Sequence, residues 1–161
     1  MQVFDASSMI YAWNHYPVRQ FPGLWQWIAA QIEEKNLKMP SVAFVEEVAK
    51  ESPDCAKWLK DHNLELLEIT NAITQDAMRI KGLLGIVDDN YHPKGVGEND
   101  ILILATARAH RAELVSDEGV QFRLPDKSSK RKIPAVCVMH EVSVPCINFV
   151  TFIKRSDAVF R

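Results

Sequence analysis

Short apolar runs alternate along this chain with longer stretches whose apolar residues recur every three to four positions. The short runs cover residues 2–4, 37–39, 64–69, 113–115 and 144–147. They are too brief and too uniformly apolar for an open antiparallel meander, and they suit strands buried on both faces of a parallel sheet. Between them the helical period dominates. Residues 22–35 open on Pro22 and place Leu24, Trp25, Ile28 and Ile32 on one side. Residues 41–50 follow Pro40, with Ser41 as a cap and Phe44, Val45 and Val48 together. Helices are also expected over 53–62, 70–84 and 99–110, the last nearly all apolar after Asn99 and Asp100. Strands alternating with helices predict βαβ units in an α/β class chain.

Two segments break the pattern. Residues 87–98 carry Asp88, Asp89, Asn90, Pro93, Gly95 and Gly97, and residues 124–132 read LPDKSSKRK. Both predict loops, the second polar, basic and mobile.

With 161 residues, the chain has room for one domain and a core burying roughly two-thirds of its unfolded surface. A hydrophobic fraction of 47% excludes bulk disorder or a low-complexity fibre. The balance of 19 basic and 21 acidic residues excludes blanket electrostatic adhesion to nucleic acid, though not a nucleic-acid enzyme whose metal-holding acids offset a basic rim. Cys55, Cys137 and Cys146 form no CxxC pair and point to reduced thiols. No signal-peptide pattern and no run of about 20 apolar residues is present, so a cytoplasmic protein without a membrane span is expected.

Four acidic positions sit where strands end or helices begin. Asp5 directly follows the run Val3–Phe4 and precedes Ser7 and Ser8; the plainer reading is a helix N-cap. Asp100 opens the apolar helix, where the helix dipole would favour any acid. Ser116, Asp117 and Glu118 repeat the strand-then-acid pattern after Val115. Glu46 and Glu47 lie early in the 41–50 helix, with Glu47 between Val45 and Val48 and the better placed to face inward. In an open α/β sheet, ligands bind beyond the carboxyl ends of the strands. Carboxylates converging there repel one another unless a hard cation lies between them, and Mg²⁺ or Mn²⁺ prefers oxygen donors. His15, His62, His92, His110 and His140 fall in no metal-ligand spacing.

VFDASSMIYAW, PSVAFVEEVAKE, NDILILATARA and LVSDE, in this order, resemble the successive motifs of the PIN-domain nucleases, and within them the toxin-type PIN-like group. FPGLWQWI and KIPAVC…VPCINFVTFI extend the resemblance through nearly the whole chain. The match puts family acids at Asp5, Glu47 and Asp100. In the last motif Ser116 stands for threonine and Glu118 holds the acid's spacing, a glutamate in place of aspartate, with Asp117 competing one residue earlier.

The resemblance implies a three-layer α/β/α sandwich in one PIN-like domain spanning 1–161, with a short-stranded, mostly parallel central sheet. It also implies divalent-metal-dependent endoribonuclease activity, with RNA as substrate, a cognate antitoxin and homodimerisation. On this reading Asp5, Asp100 and Glu118 (or Asp117) hold Mg²⁺ or Mn²⁺. Glu47 binds a second ion or orients a water, and Ser7 and Ser116 hydrogen-bond the carboxylates. Lys127, Lys130, Arg131 and Lys132 are the dense basic run available to an RNA backbone, with a solvated loop as the plainer reading; Arg108 and Arg111 are a second option. Trp13, Tyr16, Phe21, Trp25 and Trp27 are expected in the core or a dimer seam rather than on RNA.

Two other classes stay open. One is a silent interaction module that kept the fold without the metal. The other is a small-molecule phosphatase using Asp5 as nucleophile, disfavoured because Ser7 stands where such sites want a second aspartate. A Gly-rich phosphate cradle is also missing.

Overall fold

A computed structural model describes residues 1–161. Its five strands are β1 (Gln2–Phe4), β2 (Leu37–Pro40), β3 (Leu66–Leu67), β4 (Glu113–Val115) and β5 (Cys146–Ile147), hydrogen-bonded in the order β3-β2-β1-β4-β5. Every pairing is parallel, so each connection must cross over through helix. The edge strands β3 and β5 are shorter than the apolar runs that predicted them, because each has a ladder partner on one side only.

The helices are α1 (Ala6–His15), α2 (Pro22–Glu33), α3 (41–51), α4 (Pro53–Asp61), α5 (Asn71–Leu83), α6 (Glu98–Ala109), α7 (Ile133–Cys137) and α8 (Phe149–Ser156). Pro22 and Pro53 take first-turn positions, where a missing N–H costs nothing. Thr70 caps α5 by accepting from the Ile73 N–H, and Asn148 caps α8 by accepting from Thr151. Gly97 is the capping residue of α6, which starts one residue before the expected 99–110. The middle of α3 is wound as a π-helix over Phe44–Val48, an insertion that re-aims side chains and recurs at functional sites.

Val3, Phe4, Met39, Leu114 and Val115 on the sheet join Met9, Trp25, Ile28, Leu59, Ile80, Leu104 and Phe149 in a cluster of 39 buried residues. Each fully buried large apolar side chain contributes roughly 1.5–3 kcal/mol. Trp13, Tyr16, Trp25 and Trp27 belong to this packing, with Trp25 meeting Trp13 and Trp58 edge-on at centroid distances of 5.4 and 4.9 Å, whereas Phe21 is 42% exposed and lies outside it. The three cysteines are free thiols, and no helix is long and apolar enough to cross a membrane.

The chain leaves β1 for β2 and β3 on one side, then returns to place β4 and β5 on the other. The strand order therefore reverses between β1 and β4, and the crevice beyond their carboxyl ends is the place such a sheet offers a ligand.

The two predicted loops lie against each other there. The Val96 N–H donates to the Arg131 carbonyl at 2.9 Å. Gly95 packs so close to the Ser129 carbonyl that a Cβ would sit 1.9 Å from its oxygen, so no other residue fits. Gln121 completes the tie, its amide donating to the Lys130 carbonyl at 3.1 Å and accepting from the Lys132 N–H at 2.9 Å. The basic segment predicted to be mobile is fixed by these bonds, with a 3₁₀ turn at Ser128–Lys130.

Candidate metal centre at the carboxyl ends of β1 and β4

The register pairs Phe4 with Val115, so the next residues, Asp5 and Ser116, face each other just past the sheet. The Asp5 N–H still donates to the Val115 carbonyl at 2.9 Å. Asp5 is 2% exposed and stands at the cap position of α1, yet its side chain makes no cap hydrogen bond. Its Oδ2 instead accepts from the hydroxyls of Ser7 at 2.5 Å and Ser116 at 3.0 Å. Burial raises its pKa to about 6 and the charge of Asp100 adds to the rise, while the Ser7 and Ser116 hydrogen bonds oppose it.

Glu47 reaches the same region from the π-turn of α3. Its Oε2 is buried without a hydrogen-bond partner. Burial first, then the charges of Asp5 and Asp100, followed by those of Glu51 and Glu118, push its carboxyl up to about 8. Glu46 points away, exposed and bonded to Lys50 at 2.6 Å.

Asp100, in the first turn of α6, uses Oδ2 to accept from the Gly97 N–H at 2.9 Å. Burial raises its pKa; the Gly97 bond and nearby Lys132 pull against that rise. Glu118 is lifted to about 7 by burial and then by the charges of Asp100 and Asp5, against the Ile133 N–H and Lys132. Asp5, Glu47, Asp100 and Glu118 thus form one electrostatic group, and none of them is in an ion pair.

Asp117 is used differently. Its Oδ1 accepts from Ser8 Oγ at 2.6 Å and from the Phe149 N–H at 2.9 Å, tying the end of β4 to the starts of α1 and α8. Ser7 closes the arrangement, accepting from the Asp117 N–H at 3.0 Å while donating to Asp5. Ser116 accepts from the Glu118 N–H at 3.3 Å. Ser8 and Gln121 are structural members that the sequence reading missed. For Ser8 the only signal was its place in a Ser pair behind a strand-end acid, and for Gln121 there was none.

The donor set is all oxygen, one donor is buried without a partner, and the mutual repulsion is relieved only in part by Lys132, which forms no ion pair with any of the four. Those properties suit a hard divalent ion. As the side chains stand, no three His, Cys, Asp or Glu groups are gathered tightly enough to enclose one.

Lys127 is exposed, Lys130, Arg131 and Lys132 are half-buried, and Arg131 Nε is buried without a partner. Arg108 is committed elsewhere, its guanidinium bonding Asp76 at 2.8 Å and the Val142 carbonyl. It is therefore not free for a phosphate.

A family profile described as "Domain of unknown function (DUF4411)" matches residues 2–160. The chain belongs to the DUF4411 family. No curated protein sequence matches this DUF4411 chain. Among solved structures it is similar to a chain of VapBC2 from Rickettsia felis, crystallised bound to a DNA fragment from the promoter. The two share 19% identity and a TM-score of 0.54, over 91% of this chain and 97% of that one. At that identity the likeness establishes the fold: a PIN-like α/β/α sandwich around a short, parallel sheet.

Proposed function

We propose that this DUF4411 chain is a divalent-metal-dependent endoribonuclease in a single PIN-like domain over 1–161. It acts in the cytoplasm as the toxin of a toxin–antitoxin pair, with a protein antitoxin and a homodimeric state. The observation that carries the reading is the group of four carboxylates at the switch point, Asp5 buried and Glu47, Asp100 and Glu118 half-buried, mutually repelling and free of any ion pair. The fold shared with the VapBC2 chain supports the toxin–antitoxin part.

Asp5, Asp100 and Glu118 would hold Mg²⁺ or Mn²⁺, and Glu47 would orient a water or help hold a second ion. When bound, the ion would lower the pKa of water and neutralise charge on the phosphate being displaced. Ser7 and Ser116 keep the Asp5 carboxylate aimed through their hydroxyl bonds. Asp117 braces the site rather than entering it, because Ser8 and Phe149 already occupy its acceptor. Lys127, Lys130, Arg131 and Lys132 would receive the RNA backbone.

The test is cleavage of a mixed single-stranded RNA panel with Mg²⁺, Mn²⁺ or EDTA, beside Asp100→Asn prepared identically. Cutting that needs the metal and disappears in the variant is the expected result. Cutting that persists in EDTA or in the variant, or no cutting at all, would sink the proposal.

A further inference from the structure

Phe122 is 99% exposed, four residues beyond Glu118. Every other Phe, Tyr and Trp ring in the chain has an aromatic or cationic partner; Phe44 and Tyr91, for example, lie under Lys60 and Lys81. Phe122 has none. Its exposure is not that of a loose end, because the adjacent Gln121 is clamped to the backbone of Lys130 and Lys132.

The surroundings of the ring are cationic. From Gly119 to Lys132 there are five basic residues and one acid, Asp126, and none of the five is in an ion pair. The opposing loop adds Lys94. His92 marks where these charges meet: its pKa is lowered by burial, then by Lys130, Lys94 and Lys127. Lys132 carries the positive strip to the acids, whose charges it partly offsets at Asp100 and Glu118.

We infer that Phe122 is a stacking platform for an unpaired base of single-stranded RNA, with Arg123, Lys94, Lys127 and Lys130 holding the adjoining phosphates. A flat apolar face beside unpaired cations complements the two halves of a nucleotide. Duplex bases, already stacked on each other, cannot use it. This names how the site proposed above takes its substrate, and it rests on that nuclease reading for the direction in which the strand runs.

The test uses the full chain in EDTA, so that cleavage plays no part. Its probe is a short unpaired RNA carrying 2-aminopurine, whose emission falls when the base stacks. Replacing Phe122 by Ala should weaken binding about 5- to 100-fold and relieve the quenching. Phe122→Trp should restore both, and the same RNA annealed to its complement, its 2-aminopurine already quenched by stacking in the duplex, should show no further fall on binding. Three results would overturn the inference: affinity within about twofold in the Ala variant, quenching independent of residue 122, or no RNA bound by wild type. A Phe122-dependent loss confined to anionic phosphatidylglycerol vesicles, or to a protein partner, would overturn it as well. If binding depends on Phe122 yet no RNA is cut when Mg²⁺ or Mn²⁺ is added, the nuclease reading falls and the stacking platform stands.

Discussion

The two ends of the same short strand treat carboxylates in opposite ways. At the start of β4, Glu113 is met by Arg155 at 2.8 Å and by the Gln2 amide at 3.5 Å. It lies beside a pocket of about 360 Å³ in which it is the only acid. Two residues later the strand ends at Val115, and the acids around and beyond that end find hydroxyls, backbone N–H groups and each other, but no arginine or lysine in contact. Elsewhere the chain supplies cations freely, as where Asp76 is shared by Arg79 and Arg108. The lack of a contacting cation at the carboxyl edge, where Lys132 acts only from a distance, is therefore a property of that edge. It leaves the charge to be balanced from outside, by protons or by a metal ion.

Changing one acid at each end breaks the comparison most sharply. Glu118→Gln should lower metal-dependent RNA cleavage by at least about 100-fold, matching the upper end of what losing an outer partner of a metal site costs. Glu113→Gln should leave cleavage within about twofold and cost less than about 1 kcal/mol of stability, since its arginine partner is largely solvated. Equal losses in both would erase the distinction.

Asp117 sharpens the boundary inside the edge itself. Asp117→Asn weakens the acceptor that serves Ser8 and Phe149, so thermal or denaturant unfolding should show a loss of about 1–2 kcal/mol. Metal affinity should change much less than in Glu118→Gln. A variant as stable as wild type but unable to bind metal would exchange the roles of the two acids.

The pH dependence follows from the raised values at Asp5, Glu118 and Glu47, about 6, 7 and 8 against ordinary values of 3.8 and 4.5. Between the ordinary and raised values the folded chain holds more protons than the unfolded one, so stability falls as pH rises. Metal-free protein should melt several degrees higher near pH 5.5 than near pH 8.5. Excess Mg²⁺ or Mn²⁺ should narrow the gap by binding the ionised, folded state. A metal-free melting temperature that climbs over this range would contradict the account of the edge.

Smallest of all is Glu46→Gln. It removes an exposed ion pair with Lys50, a turn away on α3, and should shift stability by no more than about 0.5 kcal/mol with cleavage unchanged.

Much of the fold is written in local pattern. Short triplets ending in two apolar residues, such as Gln2–Phe4 and Glu113–Val115, became central strands with the expected bounds, because full burial of those two residues leaves little freedom to place them elsewhere. Leu64–Ile69 became a two-residue strand, since pairing length at an edge depends on the neighbour and not on the run itself. The helices α7 and α8 escaped the period reading: α7 is five residues long, and α8 follows a loop whose return to the sheet is set by the β4–β5 pairing.

The positions of the four acids were legible because strand ends and helix starts are local features. How they are used was not. Asp117 and Glu118 are adjacent in sequence and equally acidic, and only the arrival of Ser8 and the Phe149 N–H from distant elements separates them. The loop 124–132 reads as mobile from its composition, yet Gly95 and Gln121 fasten it through contacts that no spacing rule anticipates.

The most direct measurement is a calorimetric Mn²⁺ titration of the purified chain beside Asp100→Asn and Glu118→Gln, each checked for folding by thermal melt. The account predicts binding by wild type with proton release near neutral pH, as the raised carboxyls ionise, and weakening by at least about 100-fold in both variants. No Mn²⁺ binding by wild type, or binding undiminished in folded variants, would contradict the claim that these carboxylates await a metal.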